Sequence, residues 1–343
     1  MKTSIKTLFG AAFAVALAAS TSLTAHAADY NWKFQSSDTS GTPTFEIDKE
    51  WTDRVAEMTN GRIKIELLPV GSIVEHAETQ DAIAAGILDG HITDVSYFSG
   101  KDPAFSLIAN PIGAWADPQQ MFRFINYGGG KELMNKLEEP YGLHFIGAVT
   151  PGLEAFVSTV PLNGVADLKG LKVRAPEGMV QEVFAAAGAA PVNIPQSEVY
   201  TSLDKKVIDA ADATVYATNS AMGLNDIAKH PVYPGFHSMP LVEVSMNKEK
   251  WDALPKDLQE ILTVSVRDLS QDLVARLQMK DREAVAKDQA KGDIEITNWS
   301  DEERAKFRAI AMKQWKKVAE RSDNAQEVYD TLTKYLKSQG LLK

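Results

Sequence analysis

Arg174 lies among small and apolar residues in the stretch VADLKGLKVRAPEG, residues 165–178. The alternation of residue types predicts a strand that points Leu171 and Val173 to one face and Arg174 to the other. The strand would end at Pro176 and deliver Arg174 to its carboxyl end, where open α/β sheets bind ligands. A guanidinium offers a planar fork of donors that matches a carboxylate in two hydrogen bonds. The pattern indicates either an anion-binding arginine or an arginine in a surface salt bridge, and the residues alone do not separate the two.

The residue types that most enzymes use show no recognisable spacing. The chain has no cysteine, which excludes a thiol nucleophile and a cysteine-ligated metal. Its six histidines show no H-E-x-x-H spacing, and neither a G-x-S-x-G nor a G-x-x-x-x-G-K-[ST] motif is present. The glycines of 128–131 lack the strand-loop-helix context of a phosphate loop and predict a loop that ends a helix. We therefore predict that the protein is not an enzyme; a hydrolase or lyase with Asp212 or Glu154 as base is the enzymatic alternative.

Short strand-like runs alternate with helical stretches, which predicts an α/β fold. The predicted strands are 62–67, 91–97, 171–174, 190–194, 208–216 and 241–246. The predicted helices are 78–88, 177–187 and 197–205, the last with Ser197 as its cap, and the chain is mostly helical from Lys256 onward. Ser300 and Glu303 have the spacing of a capping box. The apolar residues of 324–342 fall on one helical face, which predicts that this helix packs on its own domain or docks a second subunit.

The first 27 residues have the build of a secretory signal peptide. A basic start with Lys2 and Lys6 precedes an apolar run at 8–19, and Ala25-His26-Ala27 is a cleavage signal of small residues. Cleavage after Ala27 would export the protein, and the remaining length predicts about two domains. The formal net charge of −10 argues against nucleic acid or an anionic membrane as a partner.

Several motifs, taken in order along the chain, resemble the periplasmic solute-binding proteins of TRAP (tripartite ATP-independent periplasmic) transporters. They are LPVGS (68–72), DAIAAG (81–86), DLKGLKVR (167–174), SEVY (197–200), VIDAA (207–211) and YPG (233–235). The resemblance covers nearly the whole chain after the signal peptide. GKDPAF (100–105) and YPG are most similar to the branch of this family that takes 2-oxo and 2-hydroxy monocarboxylates.

The resemblance implies a two-lobed α/β binding protein, with crossing strands between the lobes and a long helical C-terminal region. Residues 28–150 and about 240–270 would form the first lobe. Residues 151–239 and about 271–343 would form the second lobe with the C-terminal helices. Strands near 149–156 and 241–246 would cross between the lobes. The family's carboxylate-binding arginine falls on Arg174, which favours the ligand role over the salt bridge.

The sequence departs from this branch at two positions that concern a metal ion beside the ligand. Asp212-Ala213 replaces the branch's Glu-Trp, and Leu153-Glu154 falls where the branch has a glutamine ligand. Oxygen ligands suit a hard cation, so Asp212 and Glu154 are the candidate metal ligands; otherwise no cofactor is expected. The two acids would instead bind a hydroxyl or ammonium group of the ligand. The smaller Ala213 would leave room for a bulkier acid, such as an aromatic one.

The remaining candidate ligand contacts are aromatic, amide and imidazole side chains near predicted strand ends and turns: Tyr97, Phe98, Trp115, Tyr216, Asn219, Phe236 and His237. We predict a periplasmic receptor that captures an organic acid anion on Arg174 and delivers it to TRAP membrane subunits. A 2-oxo, 2-hydroxy or aromatic monocarboxylate is the expected ligand. The alternatives are a receptor for C4-dicarboxylates or sulfonates and a binding module that serves a sensor. Some members of the branch dimerise through the C-terminal helix, so the resemblance adds a homodimer through this helix as one expectation beside a monomer.

Overall fold

Alternating strands and helices build two β-sheets in this computed structural model, which describes residues 28–342. The strands are β1 (Tyr30–Ser36), β2 (Ile63–Leu68), β3 (Gly90–Asp94), β4 (Leu143–Val149), β5 (Ala155–Ser158), β6 (Lys172–Arg174), β7 (Ala190–Val192), β8 (Ala210–Thr214) and β9 (Val242–Asn247). The α/β fold class is thereby confirmed. The predicted signal peptide, residues 1–27, lies outside the described residues.

Thirteen α-helices are present in residues 28–342. They are α1 (Pro43–Met58), α2 (Thr79–Ala84), α3 (Pro103–Ala109), α4 (Pro118–Tyr127), α5 (Gly130–Glu138), α6 (Met179–Ala186), α7 (Val199–Asp204), α8 (Tyr216–Ala221), α9 (Leu224–Ile227), α10 (Lys248–Asp252), α11 (Lys256–Lys291), α12 (Asp301–Ala319) and α13 (Asp323–Ser338). None of these helices combines the length and the apolar composition that a membrane span requires.

The first sheet has the strand order β2-β1-β3-β9-β4. β1 pairs in parallel with β2 and β3, whereas β9 runs antiparallel to β3 and β4. Ile47, Trp51 and Val55 on α1 are spaced three to four residues apart, so they share one helical face. That face is buried in an apolar core with Leu262 and Val266 of α11, which holds both helices against the sheet.

The second sheet has the order β5-β8-β6-β7, with β6 parallel to both neighbours and β5 antiparallel to β8. Residues 150–154 connect β4 of the first sheet to β5 of the second. Helix α11 also bridges the two sides, since it contacts α1 and β4 as well as α8. The functional side chains described below lie where these two sheets approach each other.

Two local predictions were wrong, and the first has a clear physical cause. The strand predicted at 91–97 ends at Asp94, because its side chain accepts a hydrogen bond from the backbone amide of Ser96 at 2.7 Å and starts a turn. Ser197 does not cap a helix: α7 begins after Glu198, and no side chain caps it. The cap at Ser300 is confirmed, because its hydroxyl accepts the amide hydrogen of Glu303 at 3.3 Å.

The predicted C-terminal helices are confirmed as α12 and α13. The apolar face of α13, with Val328, Leu332 and Leu336, is buried against the protein's own chain, mainly α3 and α12. Helix α12 contacts both α6, beside the second sheet, and α3, beside the first. The exact division of the chain into lobes and a homodimer through this helix both stay predictions.

Candidate ligand-binding site

Arg174 ends β6, as the alternation around it predicted, and it is almost completely buried, with 3% of its surface exposed. Its Nε donates to the backbone carbonyl of Ile194 at 2.8 Å, and its Nη1 donates to the backbone carbonyl of Asp212 at 2.7 Å. In the described part of the chain, no hydrogen bond joins Nη2 to a carbonyl or carboxylate. The guanidinium is therefore held rigidly by dipoles, while its charge has no carboxylate in contact with it.

Residues from the first sheet's side surround this cation. The rings of His76 and Tyr97 lie 4.3 Å apart. Burial lowers the pKa of His76, and the charge of Arg174 lowers it further. Burial raises the pKa of Tyr97 despite the opposing effect of the Arg174 guanidinium, which lies within reach of the phenol oxygen. Arg174 thus lies between the two sheets, where a ligand would touch both.

A cavity of about 50 Å³ opens between the sheets and is lined by Tyr97, Ala213 and four acids: Asp38, Asp48, Asp94 and Glu154. Burial, with the charge of Asp94, raises the pKa of Asp38 to about 6. Burial also raises the pKa of Asp94 to about 6, with the charge of Asp212 acting in the same direction. The pKa of Asp48 lies well above its usual range because of burial and the charge of Asp38. These acids hold protons more readily than exposed ones, so less negative charge opposes an anion.

Glu154, Asp212 and His237 form a buried triad beside the cavity, with one ligand atom from each within 4.8 Å of the others. His237 Nε2 lies 3.0 Å from Asp212 Oδ1. Burial raises the pKa of Glu154 well above its usual range, and the neighbouring Asp212 raises it further. Burial also acts to raise the pKa of Asp212, but the charge and hydrogen bond of His237 hold it below its usual range. Of the two neighbouring acids, Glu154 therefore holds a proton more readily than Asp212 does.

The triad offers donors that suit a cation as well as a proton. The two carboxylates supply the oxygen atoms that hard cations prefer, while His237 Nε2 pairs with Asp212 at 3.0 Å. His237 Nδ1 has no hydrogen-bond partner among the described residues. A cation would replace any proton that Glu154 holds.

Tyr97 and Glu154 line the cavity, and Arg174, Asp212 and His237 lie beside it through their contacts with these two residues and with each other. The other five predicted site residues make no such polar contact with this group. Phe98 packs on His91 and Phe105 within the core. Trp115 packs on Phe124 and Tyr335, and Phe236 stacks on Trp299 with ring centroids 3.6 Å apart. Each of the three rings therefore packs against other rings, and Trp115 and Phe236 also line two further cavities outside the one described above.

The two remaining predicted residues serve the backbone and a buried acid. Asn219 donates to the carbonyls of Ala155 and Thr214, at 3.2 and 2.8 Å. The hydroxyl of Tyr216 donates to Asp288 at 3.1 Å. Both side chains hold β5, β8 and α11 together behind the site. Whether either touches a ligand stays a prediction.

Sequence reasoning missed three acids of the cavity, Asp38, Asp48 and Asp94. Two of them had a readable signal, because Asp38 follows β1 and Asp94 ends β3, and both strands run in parallel. The carboxyl ends of parallel strands meet at one sheet edge, where ligands bind in α/β folds. Asp48 lies inside α1 at a buried position, and nothing in the sequence distinguishes it from the exposed acids of that helix.

Comparison with known proteins agrees with the geometry. A family model described as DctP, bacterial extracellular solute-binding protein, family 7, matches residues 34–322. A monocarboxylate 2-oxoacid-binding periplasmic protein of Nostoc sp. (strain PCC 7120) is 34% identical over 211 residues. That match covers 61% of this chain and 57% of the relative, so the chain spans less than two thirds of the relative's length.

Solved structures extend the similarity to nearly the whole fold. A TRAP periplasmic solute-binding protein from Rhodobacter sphaeroides, in an apo open state, is 62% identical with a TM-score of 0.75; the match covers 91% of this chain and 99% of that one. A protein of the same description from Colwellia psychrerythraea, with bound calcium and pyruvate, is 26% identical with a TM-score of 0.79 and coverages of 89% and 94%.

Proposed function

The chain belongs to family 7 of the bacterial extracellular solute-binding proteins, and we propose that its ligand is a 2-oxo or 2-hydroxy monocarboxylate. As a TRAP-type periplasmic receptor for organic acids, it binds its ligand without chemical change and is not an enzyme. The Nostoc relative is described as binding 2-oxoacid monocarboxylates, and the Colwellia structure contains pyruvate. Both support a small 2-oxo acid as the ligand of this chain.

The geometry of Arg174 is the observation that carries this proposal. Two of its nitrogens are held by backbone carbonyls, which leaves Nη2 and the positive charge for a carboxylate from outside the chain. A buried cation without a partner is unfavourable, and an anionic ligand supplies that partner. Tyr97, which lines the cavity next to this guanidinium, adds a phenol hydroxyl that can donate to the same carboxylate.

The printed ligands of the two relatives give the order of the expected ligands. One relative is described as binding 2-oxoacid monocarboxylates and the other contains pyruvate, so we place pyruvate-sized acids first. Ala213, which lines the cavity, is a small side chain beside the site, and aromatic acids come second.

A cation beside the ligand is the second part of the proposal. Glu154 and Asp212 would hold it through their carboxylate oxygens, and any proton on Glu154 would leave when it binds. The Colwellia structure, which contains calcium together with pyruvate, supports this arrangement. Such a cation would arrive with the ligand, because a proton on Glu154 would balance the triad in the apo state. Ligand binding would then strengthen on addition of calcium and weaken with a chelator.

Capture and delivery would follow from closure of the two sheets around the cavity. The chain matches the pyruvate-bound Colwellia structure with a higher TM-score than the apo open structure, although its identity to the latter is far greater. This difference supports a closed arrangement of the chain described here. We propose that the protein, cleaved after Ala27, delivers the closed, loaded form to TRAP membrane subunits in the periplasm.

The test is a thermal-shift screen of residues 28–343 against organic acids, each paired with its uncharged amide. Pyruvate should raise the unfolding temperature and pyruvamide should not, because the amide leaves the guanidinium unpaired. The screen also includes lactate and other 2-hydroxy acids, aromatic acids, C4-dicarboxylates and sulfonates, and the compounds that stabilise the protein show which class of acid it binds. Parallel runs with calcium or EDTA show whether a cation strengthens binding. A response to the amide as large as to the acid would refute the role of Arg174. Stabilisation by dicarboxylates alone would refute the monocarboxylate assignment.

A further inference from the structure

A second buried group of charged side chains lies under the first sheet, apart from the residues of the ligand site. His91 on β3 stands opposite Ser245 on β9, and Glu243 lies two residues away on β9, on the same face of the sheet. Glu138, the last residue of α5, faces them. The side chains of His91, Glu138 and Glu243 have no exposed surface, and one ligand atom from each lies within 4.8 Å of the others.

The two ring nitrogens of His91 have different surroundings. Nδ1 lies 2.9 Å from the hydroxyl oxygen of Thr79, which also lies 3.1 Å from the backbone carbonyl of His76. When the Thr79 hydroxyl donates to that carbonyl, it accepts the hydrogen of Nδ1, and the lone pair of the neutral ring is then on Nε2. Nε2 faces Glu243 Oε1 at 3.4 Å and has no hydrogen-bond partner among the described residues.

The carboxylates add further acceptors to the same point. Within the described residues, neither oxygen of Glu138 has a hydrogen-bond partner, and neither does Glu243 Oε1. Glu243 Oε2 is satisfied, because it accepts from the hydroxyl of Ser245 at 2.6 Å. Unpaired carboxylates are strongly unfavourable in a protein interior. The cluster therefore requires two positive charges, either as two protons or as one divalent cation.

Distances and donor types favour the cation. The 3.4 Å from Nε2 to Oε1 exceeds the usual range of a hydrogen bond, about 2.7–3.2 Å. It matches the separation of two ligands in a tetrahedral zinc site, roughly 3.4 Å for bonds of about 2.0–2.1 Å. An imidazole among the ligands favours zinc over calcium or magnesium, which prefer oxygen atoms alone.

We propose that His91 Nε2, Glu138 and Glu243 bind one divalent transition-metal ion, best matched by Zn²⁺, as a structural site beneath the first sheet. Thr79 and Ser245 orient the ligands, since metal-bound histidines and carboxylates characteristically hold a second partner of this kind. The ion would link α5 to the paired strands β3 and β9. Binding of this ion does not depend on the organic acid proposed above. The cation proposed to accompany that acid would bind elsewhere, at Glu154 and Asp212.

The test begins with the full exported chain, unfolded with a chelator, refolded and titrated with ZnCl₂. Zinc should raise the unfolding temperature, and metal analysis should find about one more ion per chain in the wild type than in Glu138→Gln. Glu138→Gln should lose this binding, whereas Glu139→Gln, the same change at the exposed neighbouring residue, should retain it. Thr79→Val keeps all three ligands but removes the orienting hydroxyl, so it should weaken zinc binding by about 10–100-fold.

A crystal of the zinc-loaded protein should show an anomalous peak between His91, Glu138 and Glu243. A peak only at Glu154 and His237, or only on the surface, would overturn the proposal. So would refolded wild-type protein that takes up no zinc, since two protons would then balance the cluster. If Glu138→Gln does not fold, the zinc content and the position of the anomalous peak in the wild type decide whether the proposed site exists. Acid binding is measured separately on the same samples, so failure of the proposed function would be recognised as such.

Discussion

Replacement of Arg174 tests the ligand site directly. Arg174→Ala removes both the charge and the fork of donors, whereas Arg174→Lys keeps a charge but loses the planar fork. Neither variant can reproduce both hydrogen bonds to the carbonyls of Ile194 and Asp212. We expect both variants to bind acids more weakly and the alanine variant to be the weaker of the two. Both should also unfold at a lower temperature, because at least one buried carbonyl loses its donor.

The magnitude follows from the number of charge-assisted hydrogen bonds at stake. Each contributes about 1.5–3 kcal/mol, and a carboxylate held by two of them therefore gains about 3–6 kcal/mol. Their loss in Arg174→Ala weakens binding by about 10²- to 10⁴-fold. The lysine variant can keep one such bond, so we expect about a 10- to 100-fold loss.

Isothermal titration with pyruvate, or with the acid that stabilises the protein most in the screen, measures both losses. Arg123→Ala is the matched control, because Arg123 is exposed on α4 and should leave the affinity unchanged. Circular dichroism confirms that each variant is folded before titration. A folded Arg174→Ala protein that binds the acid within a few-fold of the wild type would refute this reasoning.

Three further outcomes are expected. Burial raises the pKa of Asp94 to about 6, so ionisation weakens the native state as pH rises from about 4 to 6. Relative to Asp94→Asn, the wild type should then lose up to about 3 kcal/mol of unfolding free energy, measured by urea titration at each pH. His237→Gln should weaken acid binding by about 10-fold, measured by isothermal titration, because the Asp212 carboxylate loses its 3.0 Å contact with the imidazole and becomes free to pair with the guanidinium. Tyr216→Phe should lower the unfolding free energy by about 1–2 kcal/mol, because it removes the hydroxyl that donates to Asp288. The affinity for the acid, measured by isothermal titration calorimetry, should stay unchanged.

Each of these outcomes has a control and a contrary result. A pH profile of unfolding free energy that is the same in the wild type and in Asp94→Asn would show that Asp94 titrates normally. His230→Gln changes a histidine outside the site and should leave the affinity intact; an equal loss in both variants would remove the role of His237. Tyr127→Phe is the control for Tyr216→Phe, since its ring is 79% exposed. A loss of affinity in Tyr216→Phe would place that hydroxyl on the ligand.

The elements that the sequence predicted best are those whose pattern depends on local contacts alone. The alternation at 171–174 predicted β6, and the apolar spacing after residue 324 predicted α13. The strand predicted through Tyr97 was wrong because one side chain, Asp94, binds the backbone two residues on and turns the chain. That turn carries Tyr97 into the cavity, so the local error falls on a residue of the site.

Prediction of the site was limited by contacts between residues distant in sequence. Arg174 was singled out from its own neighbours, but only the family resemblance favoured its ligand role over a surface salt bridge. Asp212, Glu154 and His237 were named from the same resemblance or from their nearness to its motifs. The resemblance could not show that His237 pairs with Asp212, because that contact depends on how β8 meets the segment before β9. The sequence also could not separate core residues from ligand contacts, because aromatic residues near strand ends and turns fit either role. This applies to Phe98, Trp115 and Phe236, which pack on other rings and whose contact with a ligand stays a prediction.

The pairing of Asp212 explains how an acidic protein keeps one buried cation available for an anion. Asp212 gives its backbone carbonyl to Arg174 and its carboxylate to His237, so the nearest acid does not neutralise the guanidinium. Burial raises the pKa of Glu154 well above its usual range, and Asp38 and Asp94, each with a pKa of about 6, take up protons more readily than ordinary acids. Each arrangement lowers the repulsion that an incoming carboxylate would meet. A ligand carboxylate at Arg174, as proposed, would therefore meet a buried guanidinium that no carboxylate of the described residues pairs with.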